Sequence, residues 1–158
     1  MRIALFEPDI PQNTGTIIRT AVCMGVGVDV IEPCGFVFSD KHLKRSGMDY
    51  LDMANVTRHA DWAAFYASFQ DSHLNTGAIR SGGRLVLLTT KGATPYTNFQ
   101  FHADDVLLLG SESRGVPSHV HEKANARLII PMAPGTRSLN VAVSCAMVLG
   151  EALRQIRG

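Results

Sequence analysis

A segment near the N-terminus combines an amide, a glycine and an arginine in a spacing that suits one helix: Asn13, Gly15 and Arg19. Because helical side chains lean toward the N-terminus of their helix, Arg19 is predicted to lie over the turn that contains Gly15, where no side chain obstructs it. Asn13 has two interpretations, as the N-cap of this helix or as a ligand-binding amide. The segment therefore predicts a cation and an amide carried by one helix.

Three loops late in the chain supply the other candidate residues. Each follows an apolar run of strand length, and they span residues 89–92, 110–115 and 132–137. Since parallel sheets bind ligands beyond the carboxyl ends of their strands, we expect one pocket lined by all three loops. The hydrophobic turn before the last helix suits a ligand with an apolar ring and a polar tail.

Composition limits the class of protein. The 158 residues are 46% hydrophobic and 18% charged with a net charge of +1, which predicts a single globular domain spanning 1–158 and no general affinity for nucleic acid. Three distant cysteines, the lack of a signal peptide and the lack of an apolar run of about 20 residues predict a soluble, cytoplasmic protein without a membrane span. His119 and His121 are expected at an exposed helix edge, so no metal site is predicted.

Apolar periodicity predicts alternating strands and helices. Asn13 is expected to cap a helix that ends near Met24, and Ser138 to cap the last helix. The predicted strands are 3–6, 56–57, 85–89, 106–109 and 128–130, and residues 25–31 are predicted to form a turn followed by a strand. The other predicted helices are 39–47, 61–69 and 118–124, with a mobile loop at 71–83. Continuous apolar strands favour an α/β domain with a mainly parallel sheet and helices on both faces. A Rossmann dinucleotide site is not favoured, because Gly25 and Gly27 precede a strand instead of following one.

The last helix is apolar nearly all round from Val141 to Leu149. A helix without a polar stripe is buried on several sides. Either the rest of this chain or a partner subunit would supply the covering surface.

Three sequence blocks resemble the SPOUT class of RNA ribose methyltransferases over essentially the whole chain. They are the N-x-G-x-x-x-R pattern from Asn13 to Arg19, the segment Leu109-Gly110-Ser111-Glu112-Ser113-Arg114-Gly115-Val116-Pro117, and Ile130-Pro131-Met132 leading to Arg137-Ser138-Leu139-Asn140-Val141. Within that class the segment at 35–50 is similar to the tRNA wobble-position 2'-O-methyltransferases, the TrmL or YibK-like group. The chain departs from this group at Gly150, where relatives often carry tyrosine.

The resemblance implies a C-terminal trefoil knot, a homodimer and the cofactor S-adenosylmethionine, which becomes S-adenosylhomocysteine, with no metal. Carried onto this sequence, it implies nine cofactor-binding residues: Leu88, Thr89, Gly110, Glu112, Gly115, Ile130, Met132, Ser138 and Asn140. Glu112 is also expected to hold Arg19, Arg114 or N–H groups of its own loop. Gly110 and Gly115 are expected to let the backbone approach the cofactor closely.

The resemblance assigns catalysis to Arg19 and Asn13. Since a guanidinium group gives up its proton with difficulty, Arg19 is expected to position the ribose or a phosphate, and the general base stays open. The resemblance implies the anticodon stem-loop of a tRNA as the partner, and the chemistry requires RNA because only RNA carries the 2'-hydroxyl. The predicted contacts to its phosphates are Lys41, Lys44, Arg45 and Arg58.

Other functions compete with this one. A non-catalytic RNA-binding protein on the same fold, or a 2'-O-methyltransferase for another RNA site, would share most of these residues. A serine hydrolase is excluded, because Gly110-Ser111-Glu112-Ser113 is not a nucleophile elbow. The tRNA isoacceptor and the preference for cytidine or uridine are left open by the sequence.

Overall fold

The computed structural model describes residues 1–38, 53–74 and 83–158. The strands are β1 Arg2–Phe6, β2 Gly27–Ile31, β3 Val56–His59, β4 Leu85–Leu88, β5 Thr94–Pro95, β6 Val106–Leu109 and β7 Ala126–Ile129. The helices are α1 Pro11–Met24, α2 Trp62–Leu74, α3 Ser118–Lys123 and α4 Val141–Arg157. The predicted helix at 39–47 and most of the predicted loop at 71–83 lie outside the described residues, and the start of that loop belongs to α2.

The strands of the described chain form one sheet in the order β3-β2-β1-β6-β4-β7-β5, and every neighbouring pair is parallel. In the middle of the sheet, Leu5 is in register with Val30 on one side and Leu109 on the other. Chain order reverses between β1 and β6, so the loops that leave their carboxyl ends diverge and open a crevice. The predicted α/β domain with a parallel sheet is confirmed.

Apolar side chains fill both faces of this sheet. On one face, Leu5 and Leu107 belong to the same core cluster as Ile18 of α1 and Leu149 of α4. On the other face, Leu108 clusters with residues of α2 and α3. Alternation of neighbouring residues such as Leu107 and Leu108 between the two cores explains the uninterrupted apolar strands in the sequence. None of the helices in the described ranges combines the length and apolar character needed to cross a membrane.

Helix α1 begins earlier than predicted. Its first residue is Pro11, and Ile10 stands at the N-cap position without a capping side-chain bond. Proline suits a first helical position, because its φ is already helical and its missing N–H has no intrahelical partner there. The prediction that Asn13 caps this helix is therefore wrong. Asn13 lies inside the first turn, 9% exposed.

Helix α4 begins with a different cap from the predicted one. The Asn140 carboxamide oxygen accepts hydrogen bonds from the N–H groups of Ala142 at 2.8 Å and Val143 at 3.3 Å. Ser138 lies two residues before this cap, so its predicted capping role is wrong. The helix buries one face, whereas Val143 and Met147 on the other are 50% and 39% exposed. The apolar surface that the sequence indicated is thus partly uncovered in the single chain.

Capping by Asn140 can be tested by stability. We expect Asn140→Ala to lower the free energy of unfolding by about 1–2 kcal/mol, because two helical N–H groups lose their acceptor. The matched change Ser138→Ala should stay within about 0.5 kcal/mol of wild type, since exposed side chains outside such bonds contribute little. Urea denaturation followed by circular dichroism measures both. Equal losses in the two variants would contradict the assignment of the cap.

Candidate active site

A cavity of about 850 Å³ lies at the carboxyl edge of the sheet. The loops after β4, β6 and β7 form its walls, together with Asn13 and the first residues of α4. This volume falls in the range of small-molecule sites. The expected convergence of the three late loops is confirmed. All nine residues predicted to bind the cofactor line this cavity.

The walls of the cavity mix apolar and polar groups. Leu88, Ile130 and Met132 contribute apolar surface where β4 and β7 end. The Thr89 N–H donates to the Leu128 carbonyl at 2.9 Å, so the ladder between the two strands continues into their loops. The Thr89 hydroxyl oxygen accepts the N–H of Lys91 at 3.1 Å and closes a turn. The cavity thus presents apolar side chains beside backbone and hydroxyl groups.

The loop after β6 requires glycine at two positions, 110 and 115, for different structural reasons. Ser111 and Gly115 exchange backbone hydrogen bonds of 3.1 and 2.7 Å, which folds the loop back on itself. A Cβ at Gly110 would lie 2.6 Å from the carbonyl carbon of Gly115, so closure of the loop requires glycine there. Gly115 has a φ of +69°, which L-residues with side chains rarely adopt. Glycine at position 110 is therefore required so that the loop can close on itself. The expected reason for glycine there was close approach of the backbone to the cofactor.

A directed chain of hydrogen bonds joins three elements at the cavity. The Asn140 amide donates to the Asn13 carboxamide oxygen at 2.9 Å. The Asn13 amide in turn donates to Glu112 Oε1 at 3.0 Å. Since the Asn140 oxygen is already used to cap α4, its amide must face Asn13 as the donor. The buried amide of Asn13 thus connects α4 with the loop after β6.

Glu112 also bonds to the loop between β1 and α1. Its Oε2 accepts the backbone N–H of Asp9 at 3.0 Å, while the Asp9 carboxylate accepts the N–H groups of Glu112 at 3.0 Å and Ser113 at 3.2 Å. Of the partners expected for Glu112, Arg114 donates instead to Glu7 at 3.2 Å. The Glu112 side chain holds the pKa of Asp9 below its usual range, whereas burial, and then the Asp9 side chain, raises the pKa of Glu112.

The predicted catalytic pair is divided by the fold. Asn13 lines the cavity, but Arg19 is exposed on α1 and does not belong to the described cavity lining. Six residues of helix separate them by about 9 Å along the axis. Arg19 therefore lies on the exposed surface of α1, outside the part of the cavity wall that the helix supplies.

Most of the residues predicted to contact RNA are not among those that the structure describes. Lys41, Lys44 and Arg45 lie outside the described residues. Arg58 donates to Glu32 Oε1 at 2.8 Å, and its guanidinium carbon lies 5.0 Å from the centre of the Phe38 ring. Arg58 thus already has an internal carboxylate and an aromatic partner.

Sequence reasoning missed several cavity residues. Lys91, Arg114 and Arg137 are exposed cations that line the cavity, one from each late loop. Their positions directly after predicted strands were the signal that could have identified them. His121 also lines the cavity and is half-buried, with Nδ1 accepting from Arg127 Nε at 3.1 Å, so the expectation of an exposed edge is wrong for it. Among the described residues, no three His, Cys, Asp or Glu side chains group as a metal site would require.

Comparison with known proteins agrees with this architecture. A tRNA (cytidine(34)-2'-O)-methyltransferase of Beijerinckia indica is 54% identical over 154 residues, covering 98% of this chain and 91% of that protein. A solved structure concerned with 2-OH methylation of C/U34 on tRNA is 35% identical, with a TM-score of 0.85 and coverage of 98% of this chain and 94% of the other. The methyltransferase AviRb of Streptomyces viridochromogenes in complex with AdoMet is 26% identical, with a TM-score of 0.86 and coverage of 98% and 60%.

The family model described as the SpoU rRNA Methylase family matches residues 1–150. It includes the strand ends that line the cavity and most of α4. With this match and the 54% identical relative, the chain belongs to the SpoU rRNA Methylase family of RNA methyltransferases.

Proposed function

We propose that this protein is an S-adenosylmethionine-dependent 2'-O-methyltransferase that modifies the ribose of the wobble nucleotide in a tRNA anticodon. The wobble substrate follows from relatives named tRNA (cytidine(34)-2'-O)-methyltransferase, at up to 54% identity over nearly the whole chain. One observation carries the proposal: the nine expected cofactor residues and Asn13 line a single cavity. The three free cysteines support a location in the cytoplasm, where thiols are kept reduced.

The cavity fits S-adenosylmethionine by size and chemistry. Leu88, Ile130 and Met132 suit the adenine ring, and Thr89 and Ser138 offer hydroxyl groups for polar atoms. The Glu112 carboxylate suits a cationic ligand, and a related methyltransferase of 26% identity holds AdoMet. When bound, the cofactor supplies the methyl group. The chain's own residues hold it, orient the ribose and exclude water.

The ribose would enter from the side of α1. Asn13 presents a buried amide at the cavity wall, with its orientation fixed by Asn140 and Glu112. Arg19 on the same helix lies nearer the solvent and would hold the ribose or an adjacent phosphate. In this proposal Asn13 orients the sugar, and Arg19 attracts the phosphate backbone of the RNA.

The cations of the cavity mouth would hold the RNA. Lys91, Arg114 and Arg137 are exposed at the three late loops, and the proposal adds Lys41, Lys44, Arg45 and Arg58 from the sequence. Phosphate contacts release counterions, so RNA binding should weaken steeply as salt rises. The partner proposed is the anticodon stem-loop.

Methylation of tRNA tests the function directly. Wild-type protein with S-adenosylmethionine should add one methyl group to the wobble ribose of purified tRNA, measured by mass spectrometry of nucleosides. Arg19→Ala should lower the rate by at least about 100-fold through loss of ribose positioning, while cofactor affinity stays near wild type. Lys123→Ala is the control, because this exposed cation on α3 lies over the Tyr66 ring and does not line the cavity. Cofactor and RNA binding without any methyl transfer would instead indicate a non-catalytic RNA-binding protein.

Substitution of Gly110 tests the cofactor loop. Gly110→Val should reduce S-adenosylmethionine affinity below detection by calorimetry, because its side chain would collide with the Gly115 backbone at 2.6 Å and open the loop. Gly150→Ala is the control, since a Cβ there meets no atom within 4 Å. Unchanged affinity in Gly110→Val would exclude this loop from the cofactor site.

We further propose a homodimer formed through α4 and a C-terminal trefoil knot, in which the C-terminal segment passes through a loop. Val143 and Met147 lie one turn apart on the exposed face of α4, and Met24 at the end of α1 is 43% exposed. An apolar helix face of this kind favours a protein contact over solvent. A second copy is the occupant proposed, because the same self-complementary stripe is then covered on both chains.

A charge in this stripe tests the dimer. Met147→Glu should convert the protein from twice the monomer mass to the monomer mass of 17.1 kDa in sedimentation equilibrium, because two carboxylates would be buried close together. Ala67→Glu, an exposed position on α2, should leave the mass unchanged. A monomeric wild-type protein, or a Met147→Glu protein that remains dimeric, would refute this interface.

A further inference from the structure

We propose that Asp9 is a positioning residue that latches the loop 110–115 in its cofactor-binding conformation. Asp9 itself does not line the cavity, so it would act through Glu112 and Ser113. The inference rests on the proposed function, because the latch is defined by the binding of S-adenosylmethionine.

The latch is reciprocal. Asp9 Oδ1 accepts the N–H of Glu112 at 3.0 Å, and Asp9 Oδ2 accepts both the N–H of Ser113 at 3.2 Å and the Ser113 hydroxyl. In return the Asp9 N–H donates to Glu112 Oε2 at 3.0 Å. One carboxylate thus binds three donors of the loop while its own backbone holds the loop's carboxylate. Hydrogen bonds to an ionised acceptor are stronger than neutral ones, so this contact resists opening.

Asp9 is itself fixed by neighbouring segments. The Gly35 N–H donates to the Pro8 carbonyl at 2.9 Å, and a Cβ at Gly35 would lie 2.7 Å from the Asp9 Cβ. The Glu7 N–H donates to Ile31 at the end of β2 at 2.9 Å, which holds Glu7 at a positive φ of 43°. The backbone around Asp9 is therefore held by β2 and the turn after it. The loop 110–115 is the part that the latch restrains.

The two carboxyl groups of the latch, Asp9 and Glu112, differ in how readily they take up a proton. Contact with Glu112 keeps the pKa of Asp9 below its usual range, so Asp9 stays ionised as the acceptor. Burial, followed by the Asp9 side chain, raises the pKa of Glu112, so Glu112 takes up a proton first as the pH falls. Protonation would turn one acceptor oxygen of Glu112 into a donor and weaken its bonds to Asp9 and Asn13. The other charged or titratable groups around the loop and cavity are Glu7, Lys91, Arg114, His121, Glu122 and Arg137.

Cofactor titration of the full chain tests the latch. Asp9→Asn should raise the Kd for S-adenosylmethionine about tenfold in calorimetry, because its NH₂ group cannot accept the loop's N–H bonds. It should also move the acidic decline of affinity to lower pH, since Glu112 loses a negative neighbour. The KM for the cofactor should rise while kcat at saturation stays within about twofold, because the latch acts on binding. Asp71→Asn, an exposed position on α2, is the matched control and should bind as wild type does.

A second variant covers the case in which Asp9→Asn folds poorly. Ser113→Ala removes one donor from an exposed residue and should raise the Kd about threefold without affecting the fold. Wild-type affinity in both variants, or an unchanged acidic decline in a folded Asp9→Asn protein, would overturn the latch while tRNA methylation stands. Failure of the wild-type chain to bind S-adenosylmethionine would overturn the proposed function and the latch together.

Discussion

The hydrogen bond from the Asn140 amide to Asn13 sets the polarity of the whole site. Because the Asn140 oxygen caps α4, its amide has to donate, and Asn13 has to accept with its oxygen. The amide of Asn13 is then left to donate to Glu112, which receives it as an acceptor. The start of one helix thereby fixes the orientation of two side chains on other elements. Loss of Asn140 or Glu112 would leave one end of the buried Asn13 amide without its partner, at a cost of about 1–3 kcal/mol.

Sheet order makes this chain of bonds possible. Asn13 and Asn140 are 127 positions apart in sequence, and Asp9 and Glu112 are 103 apart. They meet because β1 and β6 are neighbours in a parallel sheet and both end at the same edge. Apolar burial on both faces fixes the strands, and the strands bring the polar loop residues together. The site's polar residues therefore depend on an apolar core, which itself contributes Ile130 to the cavity wall.

Local and non-local signals differ in what the sequence can predict. The strands and the shared cavity follow from apolar runs and the turns after them, and the structure confirms both. The predictions of the two helix caps were wrong for the same reason. Asn13 and Ser138 have good capping propensity, but Pro11 starts α1 earlier and Asn140 stands closer to α4. The Asn13 side chain forms hydrogen bonds with Glu112 and Asn140 instead. The partners of Glu112 could not be predicted, because no local pattern connects it with Asp9. Strand β5 was missed because Thr94–Pro95 has no apolar run.

The distribution of charge explains how a nearly neutral chain can meet a polyanion. Asp105 is fully buried and pairs with Arg84, whose nitrogens lie 2.7 and 2.9 Å from its oxygens. Asp29 is buried between Arg2 and His59. These acids are compensated inside the molecule, at positions away from the cavity. Of the three exposed cations of the late loops, Arg114 has Glu7 as its partner at 3.2 Å, and in the described chain none of the three pairs with Asp105 or Asp29.

At physiological salt, exposed charges act over only about 8 Å, so the local set of cations matters more than the net charge of +1. A patch of this size meets only a few phosphates. Its contribution to affinity is the same for any RNA backbone, so it cannot select a nucleotide. In the proposed function, selection therefore falls to the ribose and base, and Asn13, whose orientation is determined by the cap of α4, is their proposed contact.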